Sequence, residues 1–565
     1  MFRTLLRLFK SFTKAERYLF IGALVIFAVA LAFNTTKAIY HNTTLMPKVG
    51  GQYTEGLVGQ PITLNPLLGG SNETDKDLIE LLFADLITLS EKYEVSTDGK
   101  TWTIDLKPEL VWSDGEPLNA DDVIFTLGTI QAPETGSPLA SSWQGVVIER
   151  ISERSIAIST KTPYVFFLDN LKNFKIAPRH IFQSIPPQNL RLSNYNLEPV
   201  ASGPYQFVSY EKEKDGFITK YSFSSNPYYA GTRALIPSFY VSFFKNYQDA
   251  ILAFNQKAID GLGGFDPANI DDLKITRQVL EINVPRYYAL FLNQSAHPAL
   301  KEKEVRVALD SATPKRAIID SVFGSRALLV SGPILPYISG YDESVYNALE
   351  NSTTTSPAAI LDDAGWKLNT DDLSTQTGLP VQTGVREKTS GKTTIKLEFE
   401  MAVPDIEFLV ETAKMIQGAW ATLGVKLTLN ILPPAELNST LIRTRNYQMV
   451  LFGNILRGNP DIFSFWHSSQ RFSPGLNLSL YENSTVDKLL ESVRKEFDST
   501  KRNEALSKIQ AEIFKDHPTI FLFSPTYLYA TTKDLGGFNG QFIATTSHRF
   551  SNVAKWYLET SRVFK

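Results

Sequence analysis

Three carboxylates stand close together in "LVWSDGEPLNADDVIFTL", residues 110–127: Asp114 in a Trp-Ser-Asp-Gly turn, and Asp121 and Asp122 shortly after it. Acids so placed could serve hydrolysis as a proton-transfer pair or hold a hard cation. Local structure accounts for them at lower cost. Asp114 can bond its own backbone in the turn, and Gly115 tolerates positive φ. Asn119 then caps a helix over 120–128, with Asp121 and Asp122 in its first turn against the positive end of the helix dipole. No base or further ligand stands nearby, so these acids read as structural.

Other chemistry is sparse. There is no cysteine, which removes disulfides, thiolate metal sites and thiol nucleophiles. His41, His180, His297, His467, His517 and His548 are scattered without metal-ligand spacing, so neither a metal nor another cofactor is expected. Ser-x-x-Lys occurs at Ser11–Lys14 and Ser492–Lys495, but without the companion elements of a serine acyltransferase. No nucleophile elbow, phosphate loop, dinucleotide fingerprint or zinc-protease helix is present. The chain does not read as an enzyme. A large body rich in aromatic residues, with no catalytic constellation, points to binding rather than turnover.

The elements that must position any site begin with the N-terminus. Arg3, Arg7, Lys10, Lys14 and Arg17 face a single acid, Glu16, ahead of "LFIGALVIFAVALAF". The run from Tyr18 to Ala32 is short for a membrane span, and the segment out to Tyr40 extends it to the roughly 17 to 25 residues that a bilayer requires. The basic side belongs in the cytoplasm. Ala30-Leu31-Ala32 also resembles a signal-peptidase site; the long, amphipathic basic segment favours a retained anchor. Either way the remainder lies outside the cytoplasm, periplasmic or at the cell surface. The reading is a cytoplasmic segment 1–17, a transmembrane anchor 18–40 and a tether 41–49.

Beyond residue 50 the composition is that of a soluble protein. Its 565 residues exceed what one hydrophobic core serves, and 56 basic residues offset by 59 acidic ones give no nucleic-acid footprint. "TWTIDLK" alternates as a strand, 146–170 reads as a hairpin and 199–230 as an antiparallel ribbon. "YYALFLNQ", 287–294, is a strand before two helices, the second capped by Thr313 with Pro314 at its first position. "DIEFLVETAKMIQGAWATLG" places Ile406, Leu409, Ala413, Ile416 and Trp420 on one helical face and leads through Gly424 into the strand "VKLTLNIL". Ser484 and Asp487 suggest a capping box before a helical stretch over 485–515. Residues 348–394, rich in Thr, Ser and Gly, read as a surface insertion.

These segments together resemble the family 5 extracellular solute-binding proteins, the oligopeptide-, dipeptide- and nickel-binding components of ABC importers. Residues 94–127 carry the resemblance through Asp98-Gly99, Trp102–Leu106, Trp112–Pro117 and Ala120–Val123. "IAPRHIF", "SGPYQF", "NPYY", "EVRVALDSATPKRAI", "ILDDAGW" and "GNPDIFSFW" follow in the family's order, with Pro314-Lys315 where Asp-Arg is usual and Asn459 in place of an acid. The resemblance spans roughly residues 50–545. It implies an α/β, periplasmic-binding-protein-like clamshell of type II, three-lobed and preceded by the N-terminal transmembrane helix. The expected division is main lobe I at 50–75, 196–282 and 525–565, accessory lobe II at 76–195, and main lobe III at 283–524.

The function so implied is a receptor that encloses a peptide or similar elongated solute between hinged lobes and hands it to ABC permease subunits. A monomer is expected. The alternative is a non-transport surface receptor, a signalling or adhesion module on the same fold. Oligopeptide binders of the family hold the ligand's amino terminus with an acid in the segment corresponding to "FGNILRGNP", 452–460; here that segment offers Asn454 and Arg457 instead. If Arg457 faces the cleft, an anionic ligand group is its natural partner, because a buried unpaired guanidinium is costly. Tyr288, Asn293, Asn454, Arg457 and Trp466 are the expected ligand contacts, from their position in or beside strands bordering the cleft.

Overall fold

The computed structural model describes residues 12–275, 278–350, 355–369, 384–456, 458–538, 540 and 542–565. One helix, Lys14–Asn42, runs free of the body with no buried residue, opened by a capping box between Thr13 and Glu16. It is long and apolar enough to cross a membrane. Asn34, Thr35 and Thr36 sit within it and turn their side chains back onto the carbonyls of Ala30, Leu31 and Ala32, which satisfies polar groups that hydrocarbon would leave unpaired. The tether expected after it is ordered instead. Thr43–Lys48 is a strand paired antiparallel along its whole length with Glu559–Phe564, the last strand of the chain.

The first lobe is built on a mixed seven-stranded sheet drawn from three distant stretches: Gln52–Val58; then Tyr205–Lys212, Ile218–Ser225, Ser238–Phe244, Gly261–Gly263 and Gln278–Ile282; and finally Tyr527–Thr531. A four-stranded antiparallel sheet, Ser90–Val95, Thr101–Leu106, Val147–Arg150 and Ser155–Ser159, forms the accessory lobe. Alternation in "TWTIDL" buries Trp102, Ile104 and Leu106 on one face. The acids of the opening motif are structural, as expected. Asn119 and Asp122 form a capping box on the helix Ala120–Gln131. Asp121 pairs with Arg150 at 3.0 Å, and Asp114 with His180 at 2.8 Å. One continuous apolar core runs from Tyr53 and Phe239 in the first lobe to Ile104, Trp143 and Ile158 in the accessory lobe, so these two lobes have no slip plane between them.

The second main lobe has a six-stranded mixed sheet, in order Ala327–Leu329, Thr519–Pro525, Arg286–Leu292, Met449–Ile455, Glu398–Pro404 and Lys426–Leu432. Helices cover both faces, and strand alternation sorts the residues between them: Leu290 and Leu292 enter one core while Tyr287, Ala289 and Phe291 enter the other. Trp420 is fully buried, its indole donating to Leu309 O and Thr313 Oγ1. Thr313 is thereby not the cap of the following helix Lys315–Phe323: its hydroxyl donates back to Leu309 O, and Pro314 holds the cap position. The stretch 485–515 is two helices, Ser484–Lys495 and Ser499–Asp516. Asn483 caps the first, Asp498 starts the second, and Asp487 accepts from the Ser468 N–H rather than closing a capping box. The segment read as a surface insertion contains the helix Pro357–Asp363 and a small sheet of Lys367–Asn369, Val385–Ser390 and Thr393–Lys396.

The chain passes between the two main sheets at two places, from Ile282 to Arg286 and from Pro525 to Tyr527. These crossovers are short and extended, the form of a hinge that absorbs rotation in a few dihedrals.

Candidate functional site

Away from the crossovers, the accessory lobe reaches the second main lobe through a finger before the helix Phe167–Lys172. Tyr164 donates its hydroxyl to Asp461 at 2.8 Å, and the Val165 N–H donates to Arg494 O at 2.9 Å. Phe166 joins the apolar cluster of the second lobe. Arg494 lies 4.9 Å from the Tyr164 ring, 4.5 Å from the Phe463 ring and 3.3 Å from Asp461. Burial and the neighbouring Asp461 hold the Tyr164 phenol well above its usual pKa, so it stays a donor. On the hinge side Gly458, at φ +83°, brings its loop so near the first lobe that a Cβ there would stand 3.1 Å from that of Ala544.

Between these contacts lies a cavity of about 380 Å³ to which all three lobes contribute. The accessory side supplies Glu80, Asp85, Asp169, Lys172 and Lys175; the first lobe supplies Tyr229, Phe542, His548 and Phe550; Gly458 comes from the second main lobe. Each is held by local structure. Glu80 lies on the helix Glu73–Leu82, which Asn72 caps. Asp85 caps the short helix Leu86–Leu89, accepting from the Thr88 N–H at 2.9 Å and hydroxyl at 2.7 Å. His548 and Phe550 ride on a turn over Thr546–Phe550. That turn is pinned from behind by Arg549, whose buried guanidinium reaches both oxygens of Asp77 at 3.0 and 2.7 Å and Glu55 at 3.3 Å.

The charges in the cavity are of both signs. Lys175 and Glu80 pair at 2.9 Å with both side chains largely buried, and so neutralise each other. Asp169 accepts from Asn459 Nδ2 at 3.2 Å, from one lobe to another, and lies 3.6 Å from Lys172. With Asp85 also present, the acids of the lining outnumber its lysines. His548 is held below its ordinary pKa, first by burial and also by Lys175, against the opposing pull of Glu80; it is neutral at pH 7. Of the lining hydroxyls, Ser551 donates to His548 O, and Thr88 donates to the Asp85 carboxylate that caps its own short helix. Among the described residues no group of His, Cys, Asp and Glu could hold a metal ion. A larger cavity of about 650 Å³, beside Asp310, Lys315 and His517, is lined by the second main lobe alone.

None of the aromatic and amide residues singled out in the sequence lines the interlobe cavity. Trp466 is 1% exposed and packs between Tyr481 and Phe521. Asn454 is buried and donates to the Tyr287 hydroxyl at 2.9 Å. Asn293, also buried, donates to the carbonyls of Arg445 and Tyr447. Tyr288 lies on the opposite sheet face against Phe408 and Phe523. Arg457 lies outside the described residues. The residues missed, Glu80, Asp169, Lys172, Lys175 and His548, come from three distant segments; their one sequence signal was the nearby "IAPRHIF" segment at 176–182.

Comparison with known proteins gives a consistent picture. The profile of the bacterial extracellular solute-binding proteins, family 5 (middle), matches residues 88–473. The oligopeptide-binding protein AppA of Bacillus subtilis is 23% identical over 531 residues, covering 91% of this chain and 92% of that protein. The crystal structure of the ABC transporter substrate-binding protein CtaP from Listeria monocytogenes superposes with a TM-score of 0.73 at 23% identity, over 90% of this chain and all of that one. The AppA structure from Bacillus subtilis, in complex with a nonapeptide, gives 0.66 at 20% identity, over 91% of this chain and all of that one.

Proposed function

The chain belongs to the bacterial extracellular solute-binding proteins of family 5, and from that premise we propose that it is the extracytoplasmic receptor of an ABC importer that encloses short peptides in the interlobe cavity. The observation that carries this is the cavity itself: three lobes wall it, two short crossovers link the main sheets, and its lining presents both acids and lysines. We read the lobes as 50–75 with 196–282 and 525–565, then 76–195, then 283–524. The first two move as one body on their shared core, and the third closes on them.

The ligand class follows from charge and size. The segment 452–460 has no acid, but Asp169 meets Asn459 from the facing lobe, so a carboxylate for a ligand's amino group is available from the opposite wall. Lys172 beside it suits a carboxylate end. About 380 Å³ falls near the lower end of the roughly 300–1,000 Å³ typical of small-molecule sites, which favours peptides of a few residues over a nonapeptide. Delivery to permease subunits, a monomeric state and retention of Lys14–Asn42 as a membrane anchor complete the reading; the anchor is supported by the carbonyl-bonded polar side chains within that helix.

The test is native mass spectrometry of the purified protein for a co-purified ligand, followed by calorimetric titration of di- to pentapeptides against wild type and Asp169→Asn. Asn keeps the acceptor for Asn459 and removes only the charge. A hydrogen bond to a charged group is worth about 1.5–3 kcal/mol, so affinity for free-amino peptides should fall about tenfold or more, and N-acetylated peptides should bind weakly to both proteins. Equal binding of free and acetylated peptides by wild type would count against the reading.

A further inference from the structure

The strand pair at the base of the molecule joins the chain's two ends where the helix Lys14–Asn42 finishes. Phe564 stands opposite Thr43, the first residue after the helix, and Arg562 opposite Leu45. The Lys565 N–H donates to Asn42 O, the last carbonyl of the helix. The Arg562 guanidinium stacks 3.7 Å from the Tyr40 ring and donates to Thr43 Oγ1. This junction leaves apolar side chains bare: Phe564 is 75% exposed, Leu45 60% and Met46 51%. Arg562 and Lys565 lie among them and Lys37 precedes them on the last turns of the helix, whereas the one acid of the strand pair, Glu559, is at its far end with Lys48.

Distances along the helix place this junction. The uncharged stretch from Tyr18 to Thr36 spans about 28 Å at about 1.5 Å per residue, close to the hydrocarbon thickness of a bilayer. Lys37–Asn42 then add about 9 Å, which brings Asn42, Phe564 and Lys565 to the polar headgroups. Aromatic rings and long cations are the side chains that favour that layer. We propose that Tyr40, Phe564, Lys37, Arg562 and Lys565 form a collar that seats in the headgroup layer of an anionic phospholipid membrane, with the six-residue strand pair above it as a stiff stalk. At about 3.3 Å per residue the stalk holds the body about 20 Å from the surface. The collar rests on the anchor reading given above.

Since the chain has no cysteine, single cysteines carry spin labels cleanly. The full-length protein is reconstituted in vesicles of phosphatidylethanolamine with phosphatidylglycerol, and in neutral phosphatidylcholine vesicles. Collision with a water-soluble nickel chelate is then compared at F564C and at L192C, an exposed control on the accessory lobe. In anionic vesicles F564C should collide about threefold less often than L192C, and the double change R562A/K565A should raise its collision rate toward the control. L45C, on the partner strand, is the second reporter. Membrane-bound protein with F564C and L45C as accessible as L192C would overturn the collar while leaving the anchor standing. Full-length protein that its host cells cut after Ala32, so that the mature form is found free of the membrane, would overturn both. Equal protection in neutral and anionic vesicles, or protection that appears only with a permease present, would overturn the lipid assignment.

Discussion

Removing one hydroxyl should loosen the closed form without touching the fold of any lobe. Tyr164→Phe keeps the ring that stacks on Arg494 and deletes only the 2.8 Å hydrogen bond to Asp461. Such a bond to a charged acceptor is worth about 1.5–3 kcal/mol. Asp461 is not orphaned in the variant, because Arg494 remains 3.3 Å away and the Phe463 N–H still donates to it; the loss therefore sits near the lower bound, about 1.5 kcal/mol. The contact spans two lobes, so the cost falls on closure. Where the ligand-free protein is mainly open, that corresponds to about a tenfold weaker apparent affinity for a peptide enclosed on closure. Calorimetric titration with the tightest short peptide gives the affinity, small-angle scattering the compactness, and a thermal melt the stability. The reasoning is refuted if Tyr164→Phe binds within about twofold of wild type, or if its melting point drops while affinity is intact.

Three further outcomes are expected. Trp466→Ala should cost about 3–5 kcal/mol of stability in a urea titration, because the ring is fully packed between Tyr481 and Phe521; peptide affinity well below the melting temperature should hardly change, since Trp466 does not line the cavity. Gly203→Ala should lower the melting temperature markedly, because the new Cβ would stand 2.6 Å from the Leu82 carbonyl carbon and 2.7 Å from the Phe83 nitrogen, backbone atoms that cannot turn aside; strain of this kind costs about 1–3 kcal/mol. Burial raises Glu55 from 4.5 to about 7, against the pull of Arg549. The unfolded chain thus releases this proton at lower pH than the folded protein, and stability from this residue is lost as pH rises from about 4.5 through about 7. Glu55→Gln should flatten melting temperature against pH across that window; an unchanged slope would remove Glu55 as its source.

Local rules read well from the chain. The Asn119 cap, the strand Thr101–Leu106 and the helix-to-strand unit around Trp420 all follow from spacing and caps within a dozen residues. What escaped depends on partners far away in sequence. "TTLMPK" looked like a tether because its pairing strand lies at the other end of the chain. Trp466, Asn454 and Tyr288 border strands as expected, but helices cover both faces of that sheet, and alternation says which residues share a face without saying whether it meets a cleft. The cavity's acids and lysines are single charges on separate segments, each of which reads as an ordinary surface residue until folding brings them together. The break before Asp498 was legible in principle, since Asp followed by Ser-Thr is a helix start.

The order of synthesis meets an obstacle in the first lobe. Gly261–Gly263 and Gln278–Ile282 both find their neighbour in Tyr527–Thr531, and Gln52–Val58 lies one strand further in. Arg549, which pairs with Glu55 and Asp77, arrives later still. As the polypeptide emerges from its N-terminus onward, the lobe that appears first is completed last. Its two early acids await their cation, and an exposed strand edge awaits its cover, while the whole second main lobe is made. A polypeptide terminated early, anywhere before residue 527, would lack both the strand Tyr527–Thr531 and the wall that bears His548, and quality control outside the cytoplasm would meet an open sheet rather than a weakened receptor.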